Sequence, residues 1–435
     1  MKIRKIAAAA LAAVLSVTAL SACGSSNAQD DAHPQSISFW YYDLPTAAQT
    51  AAWKKAADQF TQQTGVKVRF EVKSFTQIAQ NSSQFLDSNQ APDIMESNRG
   101  NGSAGMLSSM ELLSDLKPYV KKYGWDKKIT KADASIAKYD AMGIMDGTKW
   151  VGLPSYAEYQ RVYYNKTLFD KYGIKIPTTM AEFEQACSQF KSHGITPIAA
   201  DAQEYGVMWL WWSLVGTKAD KKFIDDWQMY KHDVNWNSEP LTYATNTIND
   251  WVKKGYISRS ATGLKAEDTT NSFIKGNQYP IYQTGTWNQS RFVDQIKNFE
   301  WTAAALPGTK MLQGCTGNLL TIPTKSHHKD LAAKLLNNVL SEENQDGIGN
   351  AGGIPLAANM SKITNVKNQE MIKEYSQYSQ KGDLSYYPDY PASNLTDDIS
   401  AQFQELVNGT KTPKQVLDSL HKSYDTGVVD MGFKD

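Results

Sequence analysis

The sequence predicts an α/β fold, and three observations carry the expectation. Residues 37–40 are a short apolar strand, Trp53, Ala56, Ala57 and Phe60 line one face of a helix, and Val66, Val68, Phe70 and Val72 alternate with Lys67, Arg69 and Glu71 as a half-buried strand. Strand, helix and strand in such quick succession make a βαβ unit, which favours a mostly parallel sheet with helices on its faces. A similar alternation returns between residues 146 and 200, where capping signals and glycine stops punctuate the pattern.

In chain order, Thr46-x-x-Gln49 reads as the capping box of the first helix and Gly65 as its stop. Residues 91–95 form the next strand, and 96–105 (ESNRGNGSAG) the loop at its carboxyl end, where open α/β sheets place ligands. Residues 112–123 are a helical stretch broken at Pro118. Asp146-Gly147, between two short apolar runs, is the dipeptide that tolerates positive φ at both corners of a tight hairpin. Pro154 cannot donate to a sheet ladder and ends a strand; a loop follows, then a strand at 160–165 and a helix at 166–172 stopped by Gly173.

Thr179-x-x-Glu182 caps a helix on which Phe183, Ala186, Cys187 and Phe190 share a face, and 195–200 is another strand. Residues 201–260 are rich in Trp and Tyr, most of them core. A strand at 319–323 and a helix at 330–340 follow. The last helix opens with Thr412-Pro413-Lys414-Gln415, and Val416, Leu417, Leu420 and Tyr424 form its apolar face.

With 435 residues, 41% hydrophobic and 21% charged, the chain is long enough for two or three domains and is not disordered by composition. Formal net charge is zero and there is no Lys/Arg cluster, which argues against a nucleic-acid partner. Residues 1–22 read as a secretory signal: Lys2, Arg4 and Lys5 form the positive end, and the apolar run at 6–20 is short for a membrane span. It closes on Leu20-Ser21-Ala22-Cys23, which resembles the bacterial lipobox, whose cysteine becomes the lipidated first residue of the mature protein. Lipid on Cys23 would hold the protein to the outer membrane face, at about 0.8 kcal/mol per buried methylene. Residues 23–35 are then a polar, flexible tether.

Cys187 reads as a small buried hydrophobe and Cys315 as a loop residue; a disulfide between them is open in an exported protein. No H-E-x-x-H, zinc-type Cys/His spacing, G-x-S-x-G or phosphate-cradling glycine loop is present, so no metal, cofactor or catalytic group is expected.

The run Asp146-Gly147…Leu153-Pro154, then YYNK at 163–166, Leu168-Phe169, Tyr172-Gly173-Ile174 and Pro177-x-Thr179-x-x-Glu182-Phe183, resembles the extracellular solute-binding proteins of ABC importers. The likeness is to the carbohydrate-binding branch that includes maltose-binding protein. Ala91-Pro92-Asp93-Ile94, Thr284-Gly285-Thr286-Trp287, Leu306-Pro307-Gly308, Gly353-Ile354-Pro355 and Gly409-x-x-Thr412-Pro413 extend it over nearly the whole mature chain. The resemblance implies a two-lobed, periplasmic-binding-protein-like fold in which each lobe is a mostly parallel sheet flanked by helices, joined by a hinge. Mapped here, one lobe is 36–149 plus 320–353 and the other 150–319 plus 354–435, with Gly152, Gly317, Gly352 and Gly353 near the crossings.

It further implies a monomeric receptor on the extracellular face of the membrane, lipid-anchored, that closes on a carbohydrate and hands it to permease subunits. By position, the ligand-binding residues are Tyr42 and Asp43 after the first strand, Asn98, then Tyr156 and Glu158, where Glu158 has the spacing of the family's sugar-binding glutamate. Asp201, Glu204, Trp209 and Trp287 follow, with Tyr387 and Tyr390, beside Asn394 and Asp397, in the segment of late contacts. These types suit a sugar, whose CH faces pack on rings and whose hydroxyls need donors and acceptors. Two other readings stay open: a surface glycoside hydrolase pairing Glu158 with Asp201 or Glu204, and a same-fold receptor for a peptide, polyamine or metal chelate.

Overall fold

The computed structural model describes residues 34–433, so the lipobox cysteine Cys23 and most of the tether lie outside the described residues. In chain order the strands are β1 (Ser36–Tyr41), β2 (Lys67–Val72), β3 (Ile94–Ser97), β4 (Lys138–Tyr139), β5 (Lys149–Trp150), β6 (Gly152–Pro154) and β7 (Tyr156–Asn165). There follow β8 (Ile198–Ala199), β9 (Ile281–Gly285), β10 (Trp301–Ala304), β11 (Gly314–Thr316), β12 (Leu319–Thr321) and β13 (Ile354–Pro355). They form two main sheets, one in the order β2-β1-β3-β12-β6 and one in the order β10-β7-β9-β8, with β11 and β13 also pairing with β7.

The first sheet is organised by the βαβ unit. β1 pairs in parallel with β2 and β3, and the helix Ala48–Thr64 between β1 and β2 ends at Gly65, whose φ of 75° turns the chain. Phe39 lies 5.6 Å from Trp53 and 5.0 Å from Phe70, ring centre to ring centre. Phe39 and Trp53, both fully buried, contribute about 2–3 kcal/mol each. Leu335 and Leu336 of the helix Lys329–Val339 complete this core.

The second sheet packs against the helices Met180–Ser192, Gly206–Gly216, Glu239–Lys253, Leu395–Asn408 and Pro413–Asp430, around Val162, Phe190, Trp211, Trp212, Trp227 and Trp251. The predicted Cys187 face is buried throughout, and the Thr179 and Thr412 capping boxes are both formed. Cys187 and Cys315 are both free, so no disulfide joins them. Among the described residues no helix is long and apolar enough to cross a membrane.

Several expectations are corrected. The sheets are mixed rather than mostly parallel: β12 runs antiparallel to β3 and β6, and β7 runs antiparallel to β9, β10, β11 and β13. Only Ser155 separates β6 from β7, so the chain passes directly from the first sheet into the second. The loop expected after Pro154 is therefore strand. Thr46 does not cap the first helix; Ala47 holds that position, while the Gln49 amide donates to Asp43 Oδ2. Asp146 has a φ of 65° but Gly147 does not have positive φ; a Cβ there would come within 2.0 Å of the Asp140 nitrogen, so close chain crossing explains that glycine. Glu96, Ser97 and Cys315 lie in strands, not loops.

Candidate functional site

The carboxyl ends of β1 and β3 point at the second sheet across a cavity of about 510 Å³. This is where an open α/β arrangement gathers loop residues around a ligand. β1 delivers Tyr42 and Asp43, and β3 delivers Asn98 and Arg99. Arg99 precedes Gly100 at φ 98°, where a Cβ would meet Tyr390 at 2.7 Å, so the chain can turn there only without a side chain. β7, buried along its whole length, contributes Glu158, and Asn318 enters just ahead of β12.

These residues form one hydrogen-bonded floor. Arg99 Nη2 donates to Glu158 Oε1 and Nη1 to Asn318 Oδ1. Asn318 Nδ2 donates to Glu96 Oε1 (2.6 Å), and Glu96 Oε2 accepts from the backbone N–H groups of Tyr42 (2.8 Å) and Asp43 (3.1 Å). Tyr156 donates its hydroxyl to Asp43 Oδ2 (3.0 Å) and accepts from the Asn318 N–H (3.3 Å). Burial raises the Glu158 carboxyl above the ordinary range against the opposing pull of Arg99. Burial also raises Asp43, and it raises Glu96 well above its usual value with Asp43 adding to the effect. Arg99, despite its desolvation, is held charged by Glu158.

Aromatic rings line the same cavity. Trp209, on the helix Gly206–Gly216, stacks on Tyr205 at 3.8 Å, meets Trp287 at 4.9 Å and reaches Tyr387 at 6.1 Å. Tyr390 continues the row 5.7 Å beyond Tyr387. Trp287 needs the glycine two residues before it: a Cβ on Gly285 would lie 1.9 Å from the indole.

The irregular segment carrying Tyr387, Asp389 and Tyr390 is pinned from behind. Trp212 Nε1 donates to Ser385 O, Gln228 Nε2 to Ser385 O and Tyr387 O, and Trp227 Nε1 to Pro388 O.

Of the residues singled out in the sequence, Tyr42, Asp43, Asn98, Glu158, Glu204, Trp209, Trp287, Tyr387 and Tyr390 line the cavity. Tyr156 sits beneath it, behind Asp43. Asp201 is turned away: it is 1% exposed, and its Oδ1 accepts from the Gly206 N–H at the start of the following helix. Asn394 bonds to Asp398 and Ser423 instead, and Asp397 is exposed. Trp211 and Trp212 are core. Sequence reasoning missed Arg99, Asn318, Tyr205 and Asp389, all of which line the cavity. Arg99 had one signal, a lone base in a small-residue loop after a strand.

Burial pushes the Asp201 carboxyl from its ordinary 3.8 up to about 7. The folded state therefore keeps a proton that the unfolded chain releases near pH 4, and this group costs stability increasingly as pH rises from about 4 to about 7. Asp201→Asn retains the acceptor for Gly206. We expect it to unfold at higher urea than the parent at pH 8, by on the order of 2–4 kcal/mol, with the gap closing toward pH 4.

The family model for bacterial extracellular solute-binding proteins matches residues 45–346. A probable sugar-binding periplasmic protein of Rhizobium meliloti (strain 1021) is 35% identical over 94 residues, 21% of this chain and 21% of that protein. Another so named, from Mesorhizobium japonicum, is 24% identical over 206 residues, 46% of this chain and 44% of that protein. The chain thus spans less than half the length of either relative. The maltose-maltodextrin binding protein of the thermoacidophilic bacterium Alicyclobacillus acidocaldarius has the same fold, with a TM-score of 0.70 and 16% identity, covering 90% of this chain and 100% of that one. A family match across most of the folded part, on a fold shared end to end with such a protein, places this chain in the bacterial extracellular solute-binding protein family.

Proposed function

We propose that this protein is a membrane-tethered receptor that binds a carbohydrate, an oligosaccharide in particular, and delivers it to the permease of an ABC importer. The observation that carries the reading is the mixture of side chains lining one cavity: the ring row Tyr390, Tyr387, Trp209 and Trp287 together with Asp43, Asn98, Glu158 and Asn318. Rings cover the CH faces of a sugar and the polar floor serves its hydroxyls. Relatives named for sugar binding agree with it. The lipid on Cys23, the membrane location it confers and a monomeric state belong to the same proposal.

Binding would proceed by closure of two lobes, 36–149 plus 320–353 against 150–319 plus 354–435, with one adjustment. β6 pairs inside the first sheet, which supports a first crossing at Ser155 in place of Gly152. Gly317 and Gly352 lie near the other two crossings, and Gly352 has a φ of 93°.

The hydrolase reading lacks its pair of free carboxyls. Glu158 is engaged by Arg99, Asp201 faces away, and Glu204 accepts from the Ala266 N–H (3.0 Å).

Calorimetric titration of the mature protein with a glycan panel including maltotriose, xylotriose and triacetylchitotriose tests the proposal. We expect saturable binding of at least one glycan near micromolar affinity, about 8 kcal/mol. Absence of binding across the panel, with a peptide or polyamine bound instead, would refute the ligand class.

A further inference from the structure

The geometry points to Tyr42, Tyr387 and Arg99 as the specificity-determining donors of one subsite around Glu158, built for an uncharged, fully hydroxylated sugar ring. This rests on the carbohydrate reading above and narrows it.

Several buried tyrosine hydroxyls elsewhere in this protein have partners, although that of Tyr164 does not. Tyr139 accepts from the Gly100 N–H (2.9 Å), Tyr163 bonds to Gln289 (3.2 Å), Tyr375 donates to Asp133 (2.8 Å) and Tyr424 to Trp227 O (2.6 Å). Against that pattern, the hydroxyls of Tyr42 and Tyr387 and the Nε–H of Arg99 are buried without a protein partner, and all three residues line the same cavity. A buried donor left unpaired destabilises the folded protein, whereas the same donor facing a ligand acceptor gives selectivity.

None of the three is free to swing toward another partner. The Tyr42 N–H is held by Glu96 and its ring lies 5.4 Å from Phe75. Tyr387 is 3% exposed, its carbonyl is held by Gln228, and its ring lies 5.2 Å from the Arg99 guanidinium. Arg99 is fixed through both terminal nitrogens. The acceptors they await are neutral oxygens. An anionic sugar would bring a further negative charge into a cavity already lined by Asp43, Glu158, Glu204 and Asp389, and Glu158 already neutralises the one guanidinium.

The test uses Tyr42→Phe and Tyr387→Phe in the full mature protein, each of which removes one oxygen and keeps the ring. Tyr164→Phe is the control, since that hydroxyl is also buried and unpartnered but lies outside the cavity. Melting without ligand should stay within about 1 °C of the parent or rise for all three. Affinity for whichever of maltotriose, xylotriose and triacetylchitotriose binds the parent should fall about 10- to 100-fold for the first two variants and stay unchanged for the control. A glucuronic-acid-substituted xylotriose should bind the parent more weakly than xylotriose itself. If Tyr387→Phe lowers the melting temperature by several degrees and leaves affinity unchanged, the inference is overturned while the carbohydrate reading stands. Equal binding of the acidic glycan also overturns it. If no glycan binds the parent, both fall together.

Discussion

Arg99→Ala lowers the unfolding free energy by about 3–5 kcal/mol, because it leaves the Glu158 carboxylate buried with no cation beside it. Arg99 and Glu158 side chains are 5% and 9% exposed, so water cannot take over the lost partner. The truncation also removes the donor to Asn318, which links Arg99 to the Glu96 and Asp43 end of the floor. Urea unfolding at pH 7 measures the loss. It should shrink as pH falls, since Glu158 already sits above the ordinary carboxyl range through burial and would titrate higher still without the opposing effect of Arg99. Replacing both partners by apolar residues, Arg99→Met with Glu158→Leu, should recover most of the stability while abolishing glycan binding. A single-variant loss below about 1 kcal/mol would mean that the pair is solvated in solution.

Trp209→Ala weakens glycan binding by about 100- to 1,000-fold, the range of a central aromatic anchor. Its indole is the junction of the ring row, in contact with Tyr205, Trp287 and Tyr387. Removing it takes away one stacking face and the support of its neighbours. The ring is only partly buried, so stability should fall far less than for a core tryptophan such as Trp211. Titration calorimetry beside thermal melting separates the two effects, and Trp209→Phe should restore part of the affinity.

The sequence made the first sheet legible because alternation, cap and stop agree there. Val66 to Phe70 does alternate, although Val72 at the strand end is exposed, and Gly65 does turn the chain. β7 was legible only in its second half: all ten of its residues are buried, which erases the period of two that marks a half-buried strand. Thr46 and Thr179 carry the same capping signal, yet only Thr179 caps. At the first helix the Gln49 side chain is drawn off to Asp43, a tertiary contact that local pattern does not encode.

Most cavity residues read from family position lie together, and for Tyr156 and Asp201, two of the four that do not, the cause is physical. Tyr156 is one layer down because it shares a face of β7 with Glu158 but reaches toward Asp43. Asp201 follows a strand end, as ligand residues do, but its side chain is used by the backbone of Gly206. The surroundings of Arg99 in the sequence mark it as a lone base but do not reveal its partner. Its partner Glu158 is 59 residues away, and only the meeting of β3 and β7 at one cavity joins them.

The most direct measurement is a crystal structure of the mature protein with the tightest-binding glycan of the panel. A pyranose ring is expected to lie flat against Trp209 or Trp287, with hydroxyls within hydrogen-bonding distance of Glu158 and Asn98 and an oxygen facing Tyr387. A sugar bound outside this cavity, or one inside it that touches neither indole and neither of those two polar side chains, would contradict that expectation.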